Sequence, residues 1–280
     1  MQKSILITGC SSGIGLCVAR GLKQRGWRVF ASVRKAADMD QLRSLDIECV
    51  QLDLNDSMSI KNAVTNVLFE TQGKLDALFN NGGFGLPGAI EDLSRDALRA
   101  QFETNVFGWI ELTNQVLPIM RKHGHGRIIM NSSVLGFAAM PYRGAYNASK
   151  FAIEGFSDTL RQELHGSAIH VSLIEPGPIL SQFRSNSVKA FNKFIDKNTS
   201  IHQPQYDAML ARLNKEGAAA PFTLGPEAVL EKVIHALESR KPKIRYYVTV
   251  PTYLFGYLKR FLPYWLMDKI LRHAGGGGKR

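Results

Sequence analysis

Tyr146-Asn147-Ala148-Ser149-Lys150 sets a phenol and an ammonium four residues apart, one turn along a single helical face. A free phenol titrates at about 10, and a cation one turn away favours its ionised form, so the pair is suited to exchanging a proton. Ser133 stands upstream, just past an apolar run ending at Asn131, where the sites of α/β sheets collect at the carboxyl ends of strands. Asn105 falls at a junction of two helical segments, and Asn80-Asn81-Gly82-Gly83 follows another apolar run. Each feature has a duller reading: Ser133 as an ordinary strand-end serine, Asn105 as a helix-junction cap. A second group is the turn Thr8-Gly9-Cys10-Ser11-Ser12-Gly13-Ile14-Gly15. Its glycines let a strand turn sharply into a helix, leaving backbone N–H groups converging where the positive helix end can hold a pyrophosphate. A merely structural turn is the alternative, since three residues between the first two glycines depart from the GxGxxG spacing.

Short apolar runs that alternate with longer segments of helical period must position these residues, which is the pattern of a parallel sheet covered on both faces. Strands are expected at Ser4–Thr8, Arg28–Ser32, Glu48–Leu52, Ala77–Asn80, Arg127–Asn131, Ile169–Glu175 and Arg245–Val250. Helices are expected at Gly13–Arg25, Ala36–Leu45, Ser57–Gln72, Arg95–Asn105, Val106–Lys122, Ala145–Leu164 and Pro226–Ser239. Residues 178–224 show no clear periodicity. No repeat and no linker divides the chain.

In order along the chain, Thr8-Gly9-x-x-x-Gly13-x-Gly15, Asp53, Asn80-Asn81-x-Gly83, Asn105, Ser133, Tyr146-x-x-x-Lys150 and Pro176-Gly177 resemble the single-domain short-chain dehydrogenase/reductase family. One position differs: the family usually has Ala where this chain has Gly82. The resemblance implies a Rossmann-like, doubly wound, seven-stranded parallel sheet with helices on both faces. Residues 1–250 would form the catalytic domain, 178–224 its substrate-covering loop region, and 251–280 a C-terminal extension. It also implies a catalytic set of Asn105, Ser133, Tyr146 and Lys150. Tyr146 would be the acid/base, its pKa drawn down by Lys150, which also holds the nicotinamide ribose. Ser133 would bind the substrate oxygen, and Asn105 would position a water beside Lys150. The cofactor set would be Gly9, Ser11, Ser12, Gly13, Ile14 and Gly15 at the turn, with Asp53 and Leu54 at adenine. Asn81, Gly83, Tyr146 and Lys150 would line the ribose side, and Pro176, Gly177, Ile179 and Ser181 the nicotinamide amide. No acid follows the second strand to bond a ribose 2′-hydroxyl; Ser32 occupies that position. Arg34, with Lys35, Ser11 and Ser12, could instead surround a 2′-phosphate, which favours NADP(H) over NAD(H), although a simply solvated arginine is the alternative.

The expected activity is reduction of lipophilic aldehydes or ketones. The alternatives are a catalytically silent nucleotide-binding protein and an NAD-dependent retinol or steroid dehydrogenase working oxidatively. Phe183, Phe191, Phe194, Ile195, Met209, Leu210 and Phe222, with Leu135, Phe137 and Tyr142, suggest an oily pocket or, equally, helix packing. The three cysteines, Cys10, Cys17 and Cys49, form no CxxC, and no metal site is expected. Ile5-Leu6-Ile7 is too short for a signal segment, so a cytoplasmic protein is expected. The formal charge of +11 is local: Arg240–Arg280 holds ten Lys+Arg and one acid, +9, leaving +2 for the rest. A nucleic-acid partner is therefore not expected. The basic residues of 251–272 alternate with Tyr253, Phe255, Tyr257, Phe261, Tyr264 and Trp265, which suits peripheral contact with the inner face of a membrane. Folding back as a pocket wall or forming a subunit contact remain open. A homo-oligomer is expected, relatives commonly pairing through the helices at Val106–Lys122 and Ala145–Leu164.

Overall fold

A computed structural model describes residues 2–276. Seven parallel strands, β1 (Ser4–Ile7), β2 (Arg28–Val33), β3 (Glu48–Gln51), β4 (Ala77–Asn80), β5 (Gly126–Asn131), β6 (Ile169–Glu175) and β7 (Arg245–Tyr247), form one sheet in the order β3-β2-β1-β4-β5-β6-β7. The strands read as continuous apolar runs because each side of the sheet is covered. Alternation along β1 sends Leu6 into one core, with Phe30, Leu78 and Trp109, and Ile5 and Ile7 into the other, with Val29, Phe79 and Val233. Helices α1 (Gly13–Gln24), α2 (Met39–Arg43) and α9 (Glu227–Glu238) cover the second face; α3 (Ser57–Glu70), α5 (Gly108–His123) and α6 (Gly144–Glu163) cover the first. Strand order reverses between β1 and β4, which opens a crevice at the carboxyl ends of the strands.

Three elements differ from the sequence expectation. Helix α4 (Arg95–Phe102) does not break at Asn105; it runs into α5 through a single π-helical turn at Glu103–Phe107, a distortion often found at functional sites. The 178–224 region contains α7 (Phe183–Phe194) and α8 (Gln203–Leu213), not one long loop. Strand β7 stops at Tyr247, because Pro251 lies in the first turn of α10 (Val250–Phe261), with Thr249 as its extended N-cap. A final helix, α11 (Tyr264–Ala274), follows Pro263.

Candidate active site

The first two turns of α6 carry Tyr146 and Lys150, and the carboxyl end of β5 brings Ser133 beside them. Lys150 is 4% exposed; its Nζ donates to the Asn131 carbonyl at 2.7 Å and sits 4.3 Å from the centroid of the Trp109 ring. Ser133 caps a short turn, its Oγ accepting from the Leu135 N–H at 3.1 Å and lying 3.5 Å from the Pro176 carbonyl. The Val134 N–H donates to the same carbonyl at 2.8 Å, so the serine loop and the Pro176–Gly177 turn are fixed to each other. Phe183, at the start of α7, meets the Tyr146 ring edge-on at 5.3 Å.

Asn105 is fully buried on the π turn. Its carboxamide accepts from the Phe84 N–H at 3.1 Å, donates to the Phe84 carbonyl at 2.9 Å and reaches Ser149 Oγ on α6 at 3.3 Å. The Asn105 side chain thus ties the segment after β4 to α6.

Charge in this cluster is governed by desolvation. Burial pushes the Tyr146 phenol up to about 12, against a hydrogen bond with Ser133 that lowers it. Burial likewise draws Lys150 down to about 7, against the Glu154 carboxylate that raises it. In the protein alone burial, not Lys150, sets the direction for the phenol, which stands above its ordinary value. What results is an un-ionised phenol, a proton donor, beside a lysine that can change charge near neutrality.

The glycine turn sits opposite, at the carboxyl end of β1. Gly9 has φ +73°, and a Cβ there would lie 2.6 Å from the Gly82 Cα; Gly13 has φ +57°, and a Cβ would lie 2.9 Å from Ser181 Cβ. Both positions need the left-handed region and close backbone approach that glycine allows. Ser12 precedes α1 in extended conformation without a side-chain cap, and Ile14 and Gly15 complete the first turn, where no acid is present. The helix end is thus free to bind an anion. The Thr8 hydroxyl accepts from the N–H groups of Asn81 and Gly82, both at 2.8 Å. The Asn81 amide donates to the Thr8 carbonyl at 2.9 Å and its Oδ1 accepts from Asn131 at 2.9 Å, while Trp109 Nε1 donates to the Gly82 carbonyl at 2.7 Å. Gly83 backs onto the Asn105 carboxamide, and a Cβ on Gly82 would sit 3.1 Å from Leu54 Cδ1, so Gly82 leaves free a tight space between the end of β1 and Leu54 that a methyl would crowd.

The other expected cofactor residues border the same crevice. Asp53 and Leu54 follow β3, the Asp53 carboxylate accepting from the Asn55 N–H at 3.0 Å. Pro176 and Gly177 follow β6; Gly177 packs against Thr249, and Ile179 pairs with Leu224. Ser11 is partly exposed; Arg34 and Lys35 are exposed just past β2, whereas Ser32 is buried. A backbone cradle, an open helix end and an exposed cation at β2 together fit a dinucleotide.

A family model described as short chain dehydrogenase matches residues 3–191. The chain belongs to the short-chain dehydrogenase family. This short-chain dehydrogenase is 47% identical over 272 residues to "Uncharacterized oxidoreductase YbbO" of Escherichia coli K12, covering 97% of this chain and 95% of that one. It is 35% identical to human 17-beta-hydroxysteroid dehydrogenase type 1, with 92% of this chain and 78% of that one covered. Among solved structures, the closed form of serine dehydrogenase complexed with NADP+ superposes with a TM-score of 0.74 at 27% identity, covering 89% and 95% of the two chains.

Three residues of the dehydrogenase site carry no spacing signal strong enough to find them in the sequence. Trp109 closes over Lys150 from α5, and Asn131 provides the carbonyl that holds the ammonium. Glu154, buried one turn beyond Lys150, shares the Arg245 guanidinium with Glu175 and Asp158. Its i, i+4 relation to Lys150 was visible; its burial was not. Of the seven apolar residues expected to form an oily pocket from 178–224, Phe183 meets the Tyr146 ring. Phe191, Ile195 and Met209 are buried between α7, α8 and the Leu86–Ala97 segment, Phe194 and Leu210 pack on them, and Phe222 is exposed. Leu135 and Phe137 pack with the C-terminal helices, in a cluster that Tyr146 also borders.

Proposed function

We propose that this short-chain dehydrogenase reduces lipophilic aldehydes or ketones to alcohols with NADPH. The observation that carries the reading is the placement of the Tyr146 phenol beside Ser133 and Lys150, with burial favouring its protonated form, since reduction requires an acid at the substrate oxygen. A bound nicotinamide supplies the hydride that the carbonyl carbon accepts. Ser133 donates a hydrogen bond to the carbonyl oxygen and stabilises its growing negative charge. Tyr146 transfers its hydroxyl proton to that oxygen. Lys150, held by the Asn131 carbonyl and the Trp109 face, compensates in its protonated form the phenolate that remains. Exposed Arg34, with no acid at the end of β2, supports a 2′-phosphate and so NADP(H); the NADP+ complex of the serine dehydrogenase is consistent with this. The Phe183 ring against Tyr146, and the steroid named in the human relative, support a lipophilic substrate.

The test is cofactor consumption with long-chain aldehydes, retinal and ketosteroids, NADPH and NADH in parallel. The expected result is turnover of lipophilic carbonyls with at least about tenfold preference for NADPH, the worth of one charge-assisted hydrogen-bond pair. Preference for NADH, or turnover confined to hydrophilic carbonyls, would overturn it.

A further inference from the structure

The C-terminal helices have two dissimilar faces. The inner face is occupied: Phe255, Met267 and Leu271 pack with Val134, Leu135 and Ala138, directly after Ser133, and Leu258, Ile270 and Tyr146 border the same cluster. Lys259 belongs to this face, donating from Nζ to the Phe137 carbonyl at 2.7 Å. The segment thus already walls the catalytic loop, and its outer face is left over. That face holds Val250, Tyr253, Leu254 and Tyr257 at helical spacing along α10, then Phe261, Tyr264 and Trp265, which are 80%, 85% and 68% exposed. Of the twenty exposed large apolar side chains among the described residues, these make seven, within 16 positions, so they are a patch and not scatter. Arg260, Lys269 and Arg272 are exposed beside it, with Asp268 as the sole acid of residues 250–276.

We propose that the outer face of α10, the Pro263 turn and the start of α11 form a docking surface for an anionic lipid membrane. Tyr and Trp rings in the interface with Lys and Arg beside them are the chemistry of a helix lying flat on acidic headgroups. Among the described residues no helix is long and apolar enough to cross a membrane, and α10, 12 residues and about 18 Å, suits lying in the surface plane. A second copy fits less well, because two such faces would oppose three cations with three cations and only Asp268 on each side to offset them. The proposal stands on this surface alone and does not depend on the reductase reading. If both hold, the docked face is the outer side of the helices that wall the Ser133 loop.

Trp265 is its own reporter, since Trp27 and Trp109 are buried at 6% and 0% exposure. The full chain is mixed with phosphatidylcholine vesicles with and without phosphatidylglycerol, and tryptophan emission and co-sedimentation are followed at low and high salt. The expected result is a blue shift and co-sedimentation with the anionic vesicles at low salt, reversed by high salt. Each basic residue near the surface is worth about fivefold in partitioning, so the triple variant R260A/K269A/R272A binds about 100-fold more weakly, with an unchanged melting temperature. No shift at low salt, or equal binding to neutral vesicles, overturns the proposal. So does a dimer whose Trp265 emission is already blue without vesicles, which would assign the face to a second copy.

Discussion

Lys150 is buried as a base that is half neutral near pH 7, and this has a measurable thermodynamic signature. Its folded pKa, about 7, lies below the ordinary 10.5, so between those values the folded chain binds fewer protons than the unfolded one. Stability contributed by this residue therefore rises with pH across that window. Lys150→Met removes the effect: in cofactor-free protein the variant is favoured over the parent at pH 7, and the advantage fades towards pH 10. Unfolding measurements on both across that range check it; a pH-independent difference would contradict it. At this scale the identity of the residues is legible in the sequence and their charge is not. The Tyr146/Lys150 spacing and the strand-end position of Ser133 put these residues together because helix and strand periods are fixed by covalent geometry. The pKa directions depend on burial under Trp109 and α7, which no local spacing encodes.

The parallel sheet was readable because both faces are covered, so each strand is an apolar run with a helix after it. Helices α7 and α8 were not, since each is short and carries apolar residues on a face that meets a small satellite core rather than the sheet. That cap is fastened by Tyr206, whose hydroxyl accepts from the Ala89 N–H at 2.9 Å and donates to Asp92. Tyr206→Phe leaves the buried Ala89 N–H without a partner, at about 1–3 kcal/mol. The expected outcome is a lower melting temperature and a raised KM for the carbonyl substrate, with NADPH affinity unchanged; an unchanged KM would show that the cap does not bear on substrate. The end of β7 was misjudged because Val248-Thr249-Val250 has strand character, whereas Pro251 was the signal that a helix begins.

Over the whole molecule, the last strand and α6 are joined by one cation. Arg245 on β7 donates to Glu154 and Asp158 on α6, at 2.6 Å for Asp158, and to Glu175 on β6 at 2.7 Å. Burial, with Glu154 beside it, holds the Glu175 carboxyl well above the usual carboxylate range. Arg245→Met leaves these carboxylates without their cation, costing about 3 kcal/mol, the lower end for a broken buried pair because Arg245 is partly exposed. In the variant the folded carboxyl pKa values stand above the unfolded ones, so the deficit is smallest at acidic pH and grows as pH rises; chemical denaturation at pH 5 and 8 shows this. The same joint links the carboxyl end of β6, where Pro176 and Gly177 follow, to the helix that carries Tyr146 and Lys150. The charge that the sequence concentrates near the C-terminus divides accordingly: Arg245 and Lys259 bind partners within the fold, while Arg260, Lys269 and Arg272 are exposed. The measurement closest to the central claim is the NADPH-dependent reduction rate of a long-chain aldehyde by Tyr146→Phe, with NADPH binding followed by calorimetry. The account predicts a loss of about 10²–10⁴ in kcat with binding retained; turnover equal to the parent's would contradict it.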